Sequence, residues 1–225
     1  MRASFKLLAC VIAPALLAMA SSAQAQKAGT ITSFIGASNI SPSVSSGNLT
    51  APSLPGSTAT VNDNAQLTGA IQYMATDTIG LYIPLGIGFK HQVIGTGAIA
   101  GAGKLADTKA LPVSALVQYR FMPADAQWRP YIGGGMTYVK FYDTVGSATL
   151  TALTNPGGPA TAISFKSKLV GTIQLGMAYN IDSKWSLDAN VTKTFLKTRA
   201  TLSTGQTLDM KLDPLGVTLG VGYRF

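Results

Sequence analysis

The sequence offers few side chains that could carry out bond chemistry. His91 is the only histidine and Cys10 the only cysteine among 225 residues, and all nine acidic residues are aspartates. A zinc site needs several His, Cys or carboxylate ligands, and a nucleophilic triad needs a histidine beside a serine and an aspartate. No spacing around His91 provides either set. We therefore expect no catalytic residue, no metal site and no cofactor, and a hydrolase or acyltransferase centred on His91 is the weakest alternative.

Glycine runs are the second pattern with chemical meaning. Gly133, Gly134 and Gly135 are consecutive, and other glycines alternate with apolar residues in two further segments. A nucleotide-binding loop places its glycines directly before a helix, where backbone N–H groups cradle phosphate. None of these glycines precedes a plausible helix. They indicate curvature and close strand approach instead.

Basic residues outnumber acidic ones by 17 to 9, yet charged residues make up only 12% of the chain. A nucleic-acid surface needs a continuous basic stripe, which the sequence lacks, so we expect no nucleic-acid partner. The basic residues gather instead near the outer ends of the last three predicted strands. This rim is a candidate for binding the phosphates of outer-membrane lipid and lipopolysaccharide, with a solvated rim as the open alternative. Its members are Lys166, Lys168, Lys193, Lys197, Arg199 and Lys211.

The first 25 residues resemble a secretory signal peptide. Arg2 and Lys6 precede an uncharged apolar run, and Ala23-Gln24-Ala25 forms an A-x-A cleavage site. A membrane-spanning helix needs about 20 apolar residues, and this run is too short for one. We predict a cleaved leader at 1–25 and a mature domain at 26–225, which contains no cysteine.

Strict alternation of apolar with small or polar residues marks the elements that position these side chains. It runs from Leu215 to Phe225, from Ile79 to Phe89 and from Leu111 to Phe121. One apolar face per segment indicates β-strands. Weaker patterns bring the count to eight, an even number as in bacterial outer-membrane barrels. The predicted fold class is all-β, an eight-stranded antiparallel transmembrane β-barrel.

The connections between these strands are alternately short and long. Short periplasmic turns and longer extracellular loops are typical of outer-membrane barrels, and place both termini in the periplasm. The predicted localisation is therefore the outer membrane of a Gram-negative cell. The short turns are 75–78, 122–128 and 180–184. The long stretches are 41–64, 92–109, 143–164 and 200–210.

Aromatic residues gather near both ends of the predicted strands. Two aromatic girdles are what the two membrane interfaces favour. Near the turns and the C-terminus lie Tyr73, Tyr119, Phe121, Tyr131, Tyr179, Trp185, Tyr223 and Phe225; near the opposite ends lie Phe89, Phe141, Phe165 and Phe195.

A soluble barrel of the lipocalin type is the main structural rival. It would turn its apolar residues inward and its charges outward. Here the less apolar face is made of Gly, Thr, Ser and Gln with almost no charge at mid-strand, which suits a lumen better than a water-exposed surface.

A series of short motifs runs through nearly all of the mature chain and is weakest in 41–64 and 143–164. Its segments are Asn64–Leu67, Tyr73–Asp77, Ile79-Gly80, Phe89–His91, Leu111-Pro112, Arg129–Gly135, Tyr138, Phe141–Asp143, Leu212–Pro214 and Gly222–Phe225. In this order the motifs resemble the outer membrane protein W (OmpW) family, including the related alkane-uptake barrels of the AlkL type.

The resemblance implies a narrow, largely hydrophobic lumen that passes small hydrophobic compounds, released sideways through the wall. It also implies that the barrel assembly machinery reads the C-terminal aromatics Tyr223 and Phe225. A structural barrel that contacts lipopolysaccharide, host surfaces, phage or bacteriocins without transport is the alternative. The transported compound and the oligomeric state stay open.

Parity assigns a set of side chains to the interior. Eight strands leave an interior that side chains fill or that holds one small ligand. A path for apolar ligands and simple packing without passage are equally compatible with this set. Its members are Gln72, Met74, Tyr82, Pro84, Leu116, Gln118, Arg120, Gln174 and Asn190.

Overall fold

The structure is a computed structural model that describes residues 26–225. The predicted signal peptide and Cys10 lie outside the described residues. In chain order the elements are β1 (Ile31–Ser41), β2 (Ser45–Ser46), β3 (Ser57–Val61), β4 (Asn64–Met74), β5 (Ile79–Leu85), β6 (Phe89–Gly97), β7 (Lys104–Arg120), β8 (Trp128–Gly146), α1 (Ala148–Thr154), β9 (Ile163–Phe165), β10 (Lys168–Asn180), β11 (Trp185–Thr194), β12 (Lys197–Leu202), β13 (Thr207–Lys211) and β14 (Leu215–Arg224).

The wall is a closed antiparallel barrel. Its order is β1, β4, β5 continued by β6, β7, β8, β10, β11 and β14, and β14 pairs again with β1 from Thr32 opposite Arg224 to Ser41 opposite Leu215. Since β5 and β6 are two pieces of one wall strand, the barrel has eight strands, and the predicted fold class is confirmed. Closure leaves the wall without an unpaired outer edge.

Side chains alternate across this wall as the sequence predicts. The outward face is apolar: Leu219 and Leu175 are each 62% exposed, and Val117 is 57% exposed. A continuous apolar exterior of this kind aggregates in water but matches the hydrocarbon of a bilayer. The apolar belt therefore faces lipid, and the interior receives the small and polar residues.

The two ends of the barrel differ in their connections. We call the end with the short connections and Phe225 the turn end, and the opposite end the loop end. Exposed aromatic residues gather at the turn end, where Trp128 packs on Tyr179 at 4.5 Å and Trp185 on Tyr223 at 4.9 Å between ring centroids. The aromatic girdle predicted at this end is present.

The loop end contains more regular secondary structure than its composition predicts, because the strands continue beyond the apolar belt. The stretches 92–109 and 143–164, interpreted as loops, contain the ends of β6, β7 and β8 and the helix α1. A second sheet of β2, β13, β12 and β9 lies there. We call this layer the loop cap. Its buried core includes Leu150, Leu202 and Met210.

Ser147 begins the helix of the loop cap and ties it to the wall. Its hydroxyl accepts a hydrogen bond from the Leu150 amide at 3.1 Å and donates one to the Lys104 carbonyl at 2.7 Å. An N-terminal serine cap satisfies one of the free amides of the first turn. Nowhere in the described range 26–225 does a helix reach the length and apolarity needed to span a membrane.

Candidate functional site in the barrel interior

The loop half of the barrel interior contains a cavity of about 150 Å³. Leu116 and Tyr82 form part of its floor, and Phe141, Phe165 and Leu196 form part of its upper wall. The Phe141 and Phe165 rings lie 5.4 Å apart. Cavities lined mainly by apolar side chains with a few polar groups are the usual form of small-molecule sites.

Hydroxyl groups form two chains of hydrogen bonds around this cavity. Ser114, Thr137, Thr172 and Thr194, on four consecutive wall strands, are joined at 2.7, 2.7 and 2.9 Å between hydroxyl oxygens. Because each hydroxyl is satisfied by its neighbour, an apolar ligand can pass without leaving a buried polar group unpaired.

The second hydroxyl chain continues on the other side of the barrel. Ser38 joins Thr68 at 2.7 Å and Thr218 at 2.8 Å. Together the two chains place hydroxyl groups on seven of the eight wall strands, and β5, with Pro84, is the exception.

The turn half of the interior is filled by a polar network. The Arg120 guanidinium donates to Gln72 at 3.0 Å and to Gln118 at 3.2 Å. Gln118 in turn donates to Gln174 at 2.7 Å. The Arg120 guanidinium carbon lies 4.7 Å from the centre of the Tyr131 ring. This network closes the lumen below the cavity, and we call it the plug.

Asp188 supplies the negative charge within the plug. The Tyr131 hydroxyl donates to its two carboxylate oxygens at 2.9 and 3.0 Å, and Asn190 donates to it at 2.9 Å. Tyr131 thus contacts Arg120 with its ring face and Asp188 with its hydroxyl. The ring contact to the buried cation and the hydrogen bonds to the buried anion offset part of the desolvation cost of the two charges.

Two further arginines close the turn end itself. Arg129 donates to the Asp77 carbonyl at 2.6 Å and to the side chain of Gln26 at 3.2 Å. Arg224 donates to the Asp182 carbonyl at 2.9 Å and also to Asn180. The two guanidinium groups are thereby fixed to carbonyl groups of the short turns 75–78 and 180–184 and are buried there.

The wall has a gap beside the cavity. The ladder between β5 and β7 ends at Tyr82 opposite Leu116, and the ladder between β6 and β7 begins at Phe89 opposite Ala110. Residues 83–88 and 111–115 lie outside both ladders, and we call this gap the seam. The cavity reaches the seam at Leu85 and Ile87, which are 47% and 74% exposed on the outer surface.

Local sequence explains why the ladder fails at the seam. Pro84 and Pro112 lie on its two sides and have no N–H to donate. Gly88 is held against the Tyr142 ring, whose hydroxyl accepts a hydrogen bond from the Gly88 amide at 3.2 Å. A methyl group at Gly88 would overlap this ring. The third wall strand therefore bends here and re-enters the sheet as β6.

His91 lies above the seam on β6. Its neighbours Lys90 and Gln92 are polar and face outward, which places this part of β6 beyond the apolar belt. It is buried, contributes to the cavity wall, and its Nδ1 lies 2.8 Å from the Asn62 carbonyl. Burial lowers the pKa of His91, opposed in part by this hydrogen bond and by Asp63. No group of three or more potential metal ligands occurs within residues 26–225.

All nine residues assigned to the interior point inward, but they divide between the two halves. Tyr82, Pro84, Leu116, Gln174 and Asn190 line the cavity, and Gln174 and Asn190 also bond to the plug at its border. Gln72, Met74, Gln118 and Arg120 are fully buried in the turn half.

Four aromatic residues assigned to the membrane girdles are turned inward, and that part of the prediction is wrong. Phe89 is 4% exposed because the chain crosses the seam between Leu85 and Phe89, and this inverts the inward and outward faces of the strand. Tyr131 is fully buried because Gly176 leaves room for its ring. Phe141 and Phe165 line the cavity.

The predicted basic rim lies at the loop end. Lys166, Lys197, Arg199 and Lys211 are exposed, whereas Lys168 and Lys193 are half-buried. Lys193 donates to the Asp213 carbonyl. Four further loop-end cations lie on β6, β7 and β8, namely Lys90, Lys104, Lys109 and Lys140. At the turn end Phe225 is 79% exposed and packs edge-on against Tyr223 at 5.2 Å.

The sequence interpretation missed Asp188, Tyr131, Arg129 and Arg224 as interior residues. Asp188 has the same parity as Asn190, so the alternation in β11 was a sufficient signal for it. Arg129 and Arg224 carried a weaker signal, because both lie at the turn-end limits of strands, where parity does not fix how a long side chain bends.

Residues 27–225 match the model of the OmpW family. Outer membrane protein W of Escherichia coli is 31% identical over 92% of this chain and 93% of its own length. The dibenzothiophene metabolism operon protein PahQ of Pseudomonas aeruginosa is 25% identical over 76% of this chain and 77% of its own.

Among solved structures, the crystal structure of OprG from Pseudomonas aeruginosa is similar. It aligns with a TM-score of 0.80 and 27% identity over 90% of this chain and 99% of its own. The closed lipid-facing wall and the match over the whole described range lead to the same conclusion: this outer-membrane β-barrel belongs to the OmpW family.

Proposed function

We propose that the barrel passively conducts small, mainly apolar molecules across the outer membrane, taking them up at the loop end and releasing them sideways through the seam. The observation that carries this proposal is the cavity of about 150 Å³ that reaches lipid-facing Leu85 and Ile87 while the plug closes the axis. The free energy of an apolar molecule falls when it moves from water directly into hydrocarbon, by roughly 25 cal/mol for each Å² of apolar surface removed from water.

The proposed orientation places the turn end and both termini in the periplasm and the loop end outside the cell. Short turns on the periplasmic side are the rule for bacterial barrels. A path from the loop end is supported by a second void of about 30 Å³ inside the loop cap. Val93 and Phe165 line both spaces, so the two spaces are neighbours.

Relatives support an apolar class of substrate. The name of PahQ connects that protein with dibenzothiophene metabolism, and dibenzothiophene is a flat apolar compound. We infer a comparable class of substrate for this chain.

The test is uptake by liposomes that contain the purified protein, with an apolar and a polar solute of similar size. Leu116→Trp fills the cavity, and Val117→Trp, on the lipid face of the same strand, is its matched control. We expect wild type and Val117→Trp to admit the apolar solute, and Leu116→Trp to admit it at least several-fold more slowly. Equal uptake by all three proteins would contradict the cavity route.

A second candidate function is surface contact through the loop cap. It is favoured by the buried core of the cap, which includes Leu150, Leu202 and Met210, since a passive rim needs no such core. Replacing residues 148–158 by a short glycine–serine linker distinguishes the two. Loss of cell or phage attachment with unchanged uptake would assign the cap to contact rather than transport.

A further inference from the structure

Charge is unevenly divided between the two ends of the barrel. The loop end carries ten lysines and arginines against five aspartates, whereas the turn end carries exposed Lys27 and Lys184 and buried Arg129 and Arg224 against Asp77, Asp125 and Asp182. A one-sided cationic band attracts an anionic surface and repels a cationic one. The loop end is therefore the end at which an anionic ligand is expected to bind.

The sharpest feature of the band is a pair of lysines directly opposite each other. Lys197 on β12 and Lys211 on β13 are register partners, and both are exposed. Like charges at opposed positions of an antiparallel pair are unfavourable. The next charged pair, Arg199 with Asp209 at 2.6 Å, shows the complementary arrangement that Lys197 and Lys211 lack.

Internal carboxylates neutralise only part of this charge. Lys211 lies 3.2 Å from Asp213, but Lys197 and Lys166 make no ion pair within residues 26–225. Lys166 follows β9 and flanks β12 on the other side, where its amide donates to the Arg199 carbonyl at 3.0 Å. Lys166, Lys197 and Lys211 therefore lie on three neighbouring segments, and we call them the lysine cluster.

The position of the cluster relative to lipid follows from the alternation of one chain segment. Val191, Lys193, Phe195 and Lys197 are successive outward residues, with Val191 41% and Phe195 51% exposed. Exposed aromatic residues mark the headgroup level of a membrane. Two extended residues span about 7 Å. Lys197 thus lies directly above the aromatic position, where lipid phosphates are found.

We propose that the lysine cluster binds a phosphate of a phosphorylated glycolipid in the outer leaflet, with the acyl chains lying on the apolar wall beneath. The proposal rests on the orientation given under the proposed function. A free phosphate ion would gain only the electrostatic contacts, whereas a lipid also covers Phe195 and Leu215, which are 51% and 40% exposed.

The test uses vesicles of phosphatidylcholine with either bis-phosphorylated lipid A or chemically dephosphorylated lipid A. Binding of a fluorescent lipid A is compared for wild type, Lys197→Gln/Lys211→Gln and the turn-end control Lys27→Gln/Lys184→Gln. Each lysine near an anionic lipid surface contributes about fivefold in affinity. We expect roughly 25-fold weaker binding for the first double variant and wild-type binding for the control.

Two results would overturn the proposal. The first is equal binding by all three proteins, or equal binding of dephosphorylated lipid A. The second is displacement of lipid A by inorganic phosphate, which would assign a simple anion site. Transport is separable: Leu116→Trp is expected to lose uptake yet bind lipid A normally, so failure of one proposal leaves the other standing.

Discussion

The two halves of the barrel interior are built from the same wall strands and yet are filled in opposite ways. In the turn half, long polar side chains such as Arg120 and Gln118 cross the lumen and bond to one another. In the loop half, short hydroxyl side chains such as Thr172 stay close to the wall and leave the centre open. Side-chain length therefore decides which half is a plug and which is a cavity.

The contrast also assigns a different physical task to each half. The plug concentrates buried charge and hydrogen bonds, so single changes there should strongly affect stability. The cavity is lined by groups that satisfy one another along the wall, so single changes there should affect stability little and ligand passage more. The size of the stability loss on substitution should therefore decrease from the plug to the cavity.

Removing the central cation of the plug should have the largest effect on stability. Arg120→Met leaves Asp188 without its buried counter-charge and the Gln72 side-chain oxygen without its donor, while the Gln118 oxygen keeps only its bond from Gln72. We expect the free energy of unfolding to fall by about 3–5 kcal/mol, measured by urea denaturation in lipid vesicles.

Arg199→Met is the matched control for this loss. Its ion pair with Asp209 is exposed, with side chains 56% and 66% accessible, so the change should cost at most about 1 kcal/mol. Equal losses of unfolding free energy for both variants would show that Arg120 in the plug contributes no more to stability than an exposed ion pair.

Displacing Tyr131 should have the next largest effect. Gly176→Ala places a methyl group against the Tyr131 ring, which must move away from Asp188. Overpacking of this kind costs about 1–3 kcal/mol. Gly171→Ala on the same strand has no neighbour within 4 Å and should be nearly neutral in the same denaturation assay. If Gly176→Ala were equally neutral, the plug would be loosely packed.

Breaking a hydroxyl chain in the cavity half should cost less. Thr172→Val keeps the shape of the side chain but removes its bonds to Thr137 and Thr194 at 2.7 and 2.9 Å. We expect a loss of about 1 kcal/mol in unfolding free energy. Exposed Thr201→Val serves as the reference, and a cost as large as that of Arg120→Met would remove the distinction between the halves.

The pH dependence of His91 should be the smallest effect. Burial lowers its pKa in the folded protein, so the neutral imidazole is favoured there and protonation favours unfolding. This stability is present above the ordinary pKa of about 6.5 and is lost as the pH falls below it. Denaturation midpoints between about pH 7.5 and 5 should show a decrease that His91→Gln reduces; an unchanged slope would exclude this histidine.

The sequence predicted the wall because alternation records which face of a strand meets lipid. It failed where alternation is interrupted by geometry. Phe89 has the parity of Ile87 but the opposite direction, since the seam between β5 and β6 inverts the faces. Pro84 and Pro112 are local signals of this break, but only the cross-strand pairing shows that they lie on its two sides.

The loop cap was missed for a related reason. Its sheet joins Lys211 to Ser45 and Ala200 to Phe165, which are far apart in the chain. Each of its strands is short, and the stretches around them are rich in Gly, Ser and Thr, so the local composition resembles that of loops. Pairing between distant segments, rather than local propensity, creates this layer.

Parity in the sequence assigns side chains to the interior but does not divide the interior into two halves. Gln118 and Leu116 have the same parity and both point inward, yet one fills the plug and the other faces the cavity. The difference depends on side-chain length and on partners from other strands, such as Gln174 for Gln118.

Release through the seam is tested most directly by closing it reversibly. Residues 26–225 contain no cysteine, so Leu85→Cys/Val113→Cys can be bridged across the seam by a short cleavable thiol cross-linker. Val191→Cys/Val217→Cys, outward register partners in an intact ladder, is the control. We predict that cross-linking stops apolar uptake only in the seam variant and that a reductant restores it. Uptake that continues with the seam closed would contradict the account.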